Sequence, residues 1–301
     1  MPMSRSGILL IDKPEGPSSA QIVHRVKNIL AAKKVGHLGT LDPFASGLLL
    51  VGVNEGTKIA EVFLSGTKRY QGIMVLGVET DTQDSTGKVV GELTVPAITE
   101  KDLRLLEKEF TGALQQVPPM FSALKKDGVR LYQLARQGKE VPRDPRPIRI
   151  ETLRIDKVNE RELKFDVTCS RGTYVRTLAA DMGRRLGCGA FLKTLRRVGC
   201  DHLDVAQAIH VEDLVGVGSA AEMPLVALET ALNHLRAVIW QSRVVARLRL
   251  GQQEVLGQIG PRQACEEFVA ILEPRRELAA LAKWVDDIPG GRWRLFRVFR
   301  C

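Results

Sequence analysis

The sequence predicts an α+β protein with a mixed, largely antiparallel sheet and a small β-rich domain at its C-terminal end. Apolar and polar residues alternate along residues 162–169, directly after a second strand-like segment at 148–158, and this pattern is typical of paired strands. Elsewhere, apolar residues recur at helical spacing. Beyond residue 236, short apolar runs alternate with glycine and proline turns, which favours a separate β-rich unit.

Each predicted element has its own local signal. In chain order we predict strands at 7–11, 70–78, 148–158 and 162–169, and helices at 18–32, at 99–110 and after Thr173. Ser18 and Gln21 form a capping box at the start of the first helix, and Thr99 with Asp102 starts the second. Gly187 ends the third.

Residues 114–147 differ from the rest of the chain. They contain five prolines and few periodic apolar positions. This composition suits a mobile insertion that reaches over a binding face, and it equally suits a plain surface loop.

The formal net charge is +9, and the basic residues are clustered. Residues 121–149 carry eight Lys or Arg against three acids, residues 171–197 carry seven against one, and residues 236–301 carry twelve against seven. Such clusters favour a polyanionic partner over a small neutral substrate. For any single cluster, the alternative is a solvated basic face.

The cysteines and the apolar runs indicate the cellular compartment of the protein. The five cysteines, at 169, 188, 200, 265 and 301, form no C-x-x-C pair and no zinc-ligand spacing, which favours a reducing cytoplasm. The apolar run at 7–11 is too short for a signal peptide, and we expect no membrane span. Phosphate-binding and dinucleotide-binding glycine motifs are missing too, so we expect neither cofactor nor metal.

The segment from Gly36 to Gly47 is the most informative part of the chain because it places one carboxylate, Asp42, in a glycine-framed turn before a long apolar run. Glycine permits positive φ or close approach to a ligand, and Pro43 keeps Asp42 out of the α region. Two interpretations are open at this point. Asp42 is either a reactive acid on a loop or the N-cap of a short helix that starts at Pro43.

The motif Gly-His-x-Gly-Thr-Leu-Asp-Pro-x-Ala-Ser-Gly-Leu-Leu at 36–49 resembles the catalytic signature of the bacterial tRNA pseudouridine-55 synthases, the B class of pseudouridine synthases. Six further blocks follow the order of that family: Leu10-Ile11-Asp12-Lys13-Pro14 with Gly16, Lys68-Arg69-Tyr70, Asp81-Thr82-Gln83-Asp84, Pro118 to Lys125, Arg171 to Thr177, and Leu195-Arg196-Arg197. The resemblance implies a pseudouridine synthase catalytic domain over 1–232, with 114–147 as a basic insertion that contacts RNA. It also implies a PUA-like RNA-binding domain over 236–301.

The implied activity is the isomerisation of uridine 55 in the T-loop of tRNA to pseudouridine after the base is flipped out of its stack. The reaction moves the glycosidic bond from N1 to C5 and consumes no cofactor. The expected partner is tRNA, bound through its T-arm. We expect a cytoplasmic monomer that binds no membrane and has no obligate protein partner. Two rival functions are a non-catalytic RNA-binding or tRNA-folding protein and a hydrolytic nucleosidase.

By the resemblance, Asp42, Tyr70 and Arg176 are the catalytic residues. Asp42 can attack the sugar or the base or take the C2′ proton, and the sequence does not choose among these routes. Arg176 would keep the carboxylate ionised, and Tyr70 would stack on the base and could take up the C5 proton. From residue pattern alone, Arg176 also fits a phosphate contact or a salt bridge, and Tyr70 fits the core.

The resemblance assigns substrate binding to three more residues. His37 would enter the RNA loop, Tyr174 would touch the nucleotide, and Leu195 would lie beneath the flipped uracil, although pattern alone predicts packing for Tyr174 and Leu195. Lys13 and Asp84 are expected to support the site, Asp84 from a turn rich in side-chain to backbone bonds rather than from a glycosidase-like acid pair. Weaker candidates, for phosphate contacts, are Lys58, Lys68, Arg69, Lys125, Lys126 and Arg136.

The chain departs from the family's pattern at two positions. Phe121 stands where many members carry Tyr, so a hydroxyl contact is lost there. Leu38 stands where others have a small or hydroxylated residue, which can alter the fit of His37 in the RNA loop. Neither change touches the three catalytic residues.

Overall fold

A computed structural model describes residues 4–217, 222–263 and 266–299. The strands are β1 (Gly7–Lys13), β2 (Val35–His37), β3 (Ser46–Val53), β4 (Lys68–Leu76), β5 (Val78–Thr80), β6 (Val89–Glu92), β7 (Gly112–Gln116), β8 (Lys125–Lys126), β9 (Val129–Arg130), β10 (Arg146–Lys157), β11 (Glu162–Cys169), β12 (Ala190–Cys200), β13 (Leu203–Asp204), β14 (Ala237–Ile239), β15 (Phe268–Leu272), β16 (Leu278–Val285) and β17 (Arg292–Val298). The α-helices are α1 (Ser19–Leu30), α2 (Ala60–Ser65), α3 (Glu100–Glu109), α4 (Leu131–Arg136), α5 (Val175–Arg185), α6 (Leu228–Ala231) and α7 (Ser242–Arg249).

The main sheet confirms the predicted fold class. Its strand order is β1-β3-β12-β4-β11-β10-β7, with β2 beside β3 and β13 beside β12. Strands β3 and β12 run parallel, and the other pairs of this sheet in the described residues are antiparallel. A separate sheet of four strands, β14-β15-β16-β17, forms the β-rich C-terminal region.

Local signals placed several elements correctly. Strands β10 and β11 pair antiparallel, and Leu163, Phe165, Val167 and Cys169 are buried on one face, as their alternation predicts. Helices α1 and α3 begin with the predicted capping boxes, at Ser18 and Thr99. Helix α5 begins after Tyr174, and Gly187 follows its end with a φ of +82°.

Other segments differ from the prediction. The strand expected at 70–78 runs from Lys68 to Leu76, and Gly77, with a φ of +83°, separates it from β5. Residues 114–147 are not irregular throughout, since they contain the hairpin β8–β9 and helix α4. The C-terminal region includes helix α7, whose Val245 and Leu248 are buried against the four-stranded sheet.

Strands β1 and β3 are buried on both faces. Leu9 and Ile11 belong to the core that packs against α1 and α5, whereas Ile8 and Leu10 belong to a second core with Phe268 and other residues of the C-terminal sheet. A strand covered on both sides has no polar face. This explains why residues 47–53 show no hydrophobic period in the sequence.

Gly47 lies where β3 meets β12, at a φ of +100°. A methyl group added there would lie 2.3 Å from the carbonyl oxygen of Arg197. We expect Gly47→Ala to lower the free energy of unfolding, measured by urea denaturation, by about 2–4 kcal/mol, because it combines backbone strain with a clash against backbone. The matched control is Gly112→Ala, since Gly112 has a φ of +103° but no atom within 4 Å of the added group. Equal losses for the two variants would contradict the clash.

Candidate active site

Asp42 lies in a turn between β2 and β3, and the turn is closed by a hydrogen bond from the amide of Ala45 to the carbonyl of Asp42 at 3.1 Å. No helix follows Pro43, since β3 begins at Ser46. The helix-cap interpretation of Asp42 is therefore wrong. Its side chain is 42% exposed, so the carboxylate can meet a ligand from outside.

Arg176, the second residue of α5, joins three segments of the chain. Its side chain is only 6% exposed, and its Nε lies 2.9 Å from an oxygen of Asp42. The two terminal nitrogens donate to the carbonyls of Thr82 at 2.8 Å and Phe121 at 2.9 Å. The guanidinium thus supplies a permanent positive charge beside Asp42 in a fixed orientation.

Asp84 is the second carboxylate of the site, 3.5 Å from a terminal nitrogen of Arg176 and 4% exposed. One of its oxygens accepts hydrogen bonds from the hydroxyl of Thr82 at 2.7 Å and from the amide and hydroxyl of Thr86 at 3.0 and 2.6 Å. That oxygen is therefore saturated by its own turn, and the other oxygen is the one near Arg176. Of the two acids, Asp42 is the one whose side chain is open to a substrate.

Lys13, at the end of β1, is fully buried beneath the Asp42 turn. Its ammonium donates to the carbonyls of Pro14, Pro17 and Pro43 at 2.8, 2.9 and 3.3 Å. Burial lowers the pKa of Lys13 to about 8, and the charge of Asp42 opposes this shift. Lys13 therefore ties two turns together and adds a cation near Asp42.

Tyr70 and Leu195 lie on one face of the main sheet. In the pairing of β4 with β12, Tyr70 is opposite Arg197 and Leu195 is opposite Gly72, so all four positions share that face. Leu195 is 6% exposed and belongs to the main core. Burial raises the pKa of Tyr70 to about 12, with nearby Arg197 opposing the shift, so the phenol is neutral at pH 7.

Tyr174 and His37 border the same region. The amide and carbonyl of Tyr174 are both bonded to the side chain of Gln116, at 2.8 and 3.1 Å. Burial raises the pKa of Tyr174, and Arg176 and Asp42 are among the charges that act on it. His37 lies on β2 rather than on a loop; its pKa is lowered by burial and by Arg197, so the ring is neutral at pH 7.

The side chains predicted to contact phosphates differ in their exposure to solvent. Lys68 does not fit one, because it is 9% exposed and its ammonium donates to the carbonyls of Phe63, Leu64 and Gly66 at the end of α2. Lys58 is partly exposed and bonds Glu55 and the carbonyl of Val298.

The four other candidates face solvent. Arg69 is paired with Asp166 at 2.7 Å, and half of its side chain is exposed. Lys125 and Lys126 form β8, Arg136 ends α4, and all three are exposed. These side chains remain able to reach a polyanion.

Two residues of the site were not predicted from the sequence. Arg197 is 3% exposed and donates to the carbonyls of Leu48 at 2.7 Å and of Gly39 and Thr40 at 3.3 Å each. Its spacing of two residues from Leu195 on a strand was the available signal. Ser19 bonds Leu41; in the sequence it follows Ser18, whose capping role explains one serine and gives no reason to assign a role to the next.

Metal and membrane features are missing from the ranges that the structure describes. No three His, Cys, Asp or Glu side chains there are grouped to hold a metal ion. No helix in those ranges has the length and apolarity to cross a membrane. Cys169, Cys188 and Cys200 are buried free thiols, and Cys265 and Cys301 lie outside the described residues.

Comparison with known proteins identifies the family of the chain. The profile of the TruB family pseudouridylate synthase (N terminal domain) matches residues 27–175, and that of the tRNA pseudouridylate synthase B C-terminal domain matches 176–239. Similar solved structures include the crystal structure of a Cbf5-Nop10-Gar1 complex, with a TM-score of 0.74 and 26% identity, over 97% of this chain and 85% of that one.

Curated relatives extend the match over most of the chain. The tRNA pseudouridine synthase B of Geobacter sulfurreducens is 46% identical over 248 residues, 81% of each chain. That of Methylobacillus flagellatus is 37% identical over 285 residues, 85% of this chain and 94% of the relative. With the fold and the Asp42 turn in place, the chain belongs to the tRNA pseudouridine synthase B family and is an isomerase that converts uridine to pseudouridine in tRNA.

Proposed function

We propose that the enzyme modifies uridine 55 in the T-loop of tRNA and that Asp42 carries out the central step. One observation carries the proposal: the exposed carboxylate of Asp42 is held at 2.9 Å by the buried guanidinium of Arg176. A carboxylate that is held by a buried arginine and is still partly exposed is suited to react with a nucleoside that is brought to it.

The chemistry needs no external reagent. The N1–C1′ bond of uridine breaks, the base turns over, C5 bonds to C1′, and the proton of C5 is replaced by one at N1. Asp42 can attack C1′, attack the base or take the C2′ proton, and each route uses the same carboxylate. Arg176 stabilises the negative charge on Asp42 at the start and the end of the cycle, and Asp84 holds Arg176 in place.

The flipped uracil is proposed to bind between Tyr70 and Leu195, with Tyr174 at the nucleotide and His37 in the space that the base leaves. Extrusion costs a few kcal/mol, which stacking and phosphate contacts offset. A neutral phenol is a poor proton acceptor, so stacking is the role that Tyr70 fits in its resting state. The neutral ring of His37 can enter an RNA loop without the cost of burying a charge.

RNA contacts are proposed for the insertion 114–147 and for the C-terminal domain. The insertion 114–147 presents Lys125 and Arg136, and its Phe121 carbonyl is bonded to Arg176, which links RNA binding to the catalytic arginine. Residues 1–232 form the proposed catalytic domain and residues 236–301 a PUA-like RNA-binding domain. That the enzyme is a cytoplasmic monomer stays a prediction.

The proposal is tested by incubating the purified protein with an unmodified tRNA transcript and mapping pseudouridine at single-nucleotide resolution. We expect one modified position, uridine 55, without added cofactor. Modification elsewhere would overturn the site assignment. Released uracil would identify a nucleosidase, and binding without product would identify a non-catalytic RNA-binding protein.

Salt dependence tests the phosphate contacts separately. If about four exposed cations, Arg69, Lys125, Lys126 and Arg136, neutralise phosphates, then a fourfold rise in salt should weaken tRNA binding by about 100-fold. Lys125→Ala should reduce the slope of log affinity against log salt by about one. A flat salt response, measured by filter binding, would exclude these contacts.

A further inference from the structure

The segment 39–43 that carries Asp42 belongs to neither a strand nor a helix. Even so, each of its carbonyls has a donor. The carbonyls of Gly39 and Thr40 accept from Arg197, that of Leu41 from Ser19, that of Asp42 from Ala45, and that of Pro43 from Lys13 and Gly16. An irregular segment paired in this way has little freedom to move, so the direction in which the side chain of Asp42 leaves the main chain is fixed.

Ser19 contacts the residue that directly precedes Asp42. Its hydroxyl accepts from the amide of Leu41 at 2.9 Å and donates to the carbonyl of Leu41 at 2.9 Å. One hydroxyl therefore satisfies both polar groups of the residue that precedes Asp42. This bond pair fixes the peptide between Leu41 and Asp42, because its oxygen is one of the bonded atoms.

The location of Ser19 makes this contact specific. Ser19 is the first residue of α1 and is 2% exposed, while Leu41 is 3% exposed. Helix α1 is capped by Ser18, which leaves the hydroxyl of Ser19 free for the Asp42 turn. Because Ser19 is buried, it has no surface with which to contact RNA directly.

We propose that Ser19 is a positioning residue for the isomerisation: its hydroxyl holds the Leu41–Asp42 peptide so that the carboxylate faces Arg176 and the flipped nucleoside. The inference rests on the proposed function. Lys13 and Arg197 hold other parts of the same turn, but removing either would also delete a buried charge. Ser19 is uncharged, so its removal tests position alone.

The experiment measures the single-turnover rate of pseudouridine formation and the tRNA dissociation constant with the full chain. We expect Ser19→Ala to lower the rate by about 10- to 100-fold, since displacements of about 1 Å can cost that much, and to change the dissociation constant less than about twofold. Ser19→Thr, which keeps the hydroxyl, should recover most of the rate. Ser19→Cys, with a weak donor of similar size, should remain slow.

The matched control is Ser65→Ala, which removes a hydroxyl that donates to the carbonyl of Val62 at 2.8 Å in α2. Circular dichroism identifies a temperature at which all the variants are folded, and rates are compared there; Ser19→Cys replaces Ser19→Ala if the latter does not fold. A wild-type rate in the folded variant lacking the hydroxyl would overturn the inference. So would a slow, folded Ser19→Thr, or a loss of binding equal to the loss of rate. If wild-type protein forms no pseudouridine at all, the proposed function itself fails.

Discussion

Replacement of Asp42 by Asn will abolish pseudouridine formation while tRNA binding persists. Asn has the shape of Asp but no negative charge, so it can neither attack the nucleoside nor accept its proton. We expect the single-turnover rate to fall by about 10⁴-fold or more, as for the loss of other central catalytic groups. The dissociation constant for tRNA should stay within about threefold, because the phosphate contacts lie elsewhere.

The control for this variant is Asp181→Asn. Asp181 is also paired with an arginine at 2.9 Å, but it lies further along α5 and its partner, Arg184, is half exposed. Its loss should leave the rate within about twofold of wild type, since surface ion pairs contribute little. An Asp42→Asn protein with wild-type activity would rule out the mechanism proposed for this enzyme.

Arg176→Lys will reduce the single-turnover rate by about 10²- to 10³-fold although the positive charge is kept. The guanidinium spans Asp42, Thr82 and Phe121 with three different nitrogens, and one ammonium cannot reach all three. The carboxylate of Asp42 would then lose its fixed orientation. The effect should appear in the rate more than in tRNA affinity, and a filter-binding assay separates the two.

Arg184→Lys is the matched control, because Arg184 lies on the same helix, is half exposed, and has the partly exposed partners Glu79 and Asp181. Its rate should stay near that of wild type. If Arg176→Lys were within about threefold of wild type, a positive charge alone would suffice, and the role of the three-way contact would be wrong.

Elements with a local signal were predictable from the sequence. Two such signals are the capping boxes at Ser18 and Thr99 and the alternation of Leu163, Phe165 and Val167. Both involve residues that are close along the chain, so the sequence shows them directly. Strand β3 shows no alternation of apolar and polar residues because both of its faces are buried. One of those faces is buried with residues of the C-terminal sheet, which the local sequence does not indicate.

The site followed the same division. Motif order pointed to Asp42, Tyr70 and Arg176, but neither Ser19 nor Arg197 could be assigned a role, because each acts on a turn far along the chain. Lys68 was misassigned for a similar reason. A lysine in a basic chain suggests a phosphate contact. The ammonium of Lys68 is instead buried and donates to the carbonyls at the end of α2.

Side-chain type, local spacing and motif order are properties of the chain alone, and they were enough to predict the fold class, the family resemblance and the chemical groups available. The contacts that hold Asp42 form only in the folded molecule: Arg176 reaches its carboxylate, and Ser19 and Lys13 bond the main chain of its turn, which is not a helix start. These contacts join residues that are 22 to more than 100 positions apart, and such distances close only when the sheet and helices pack.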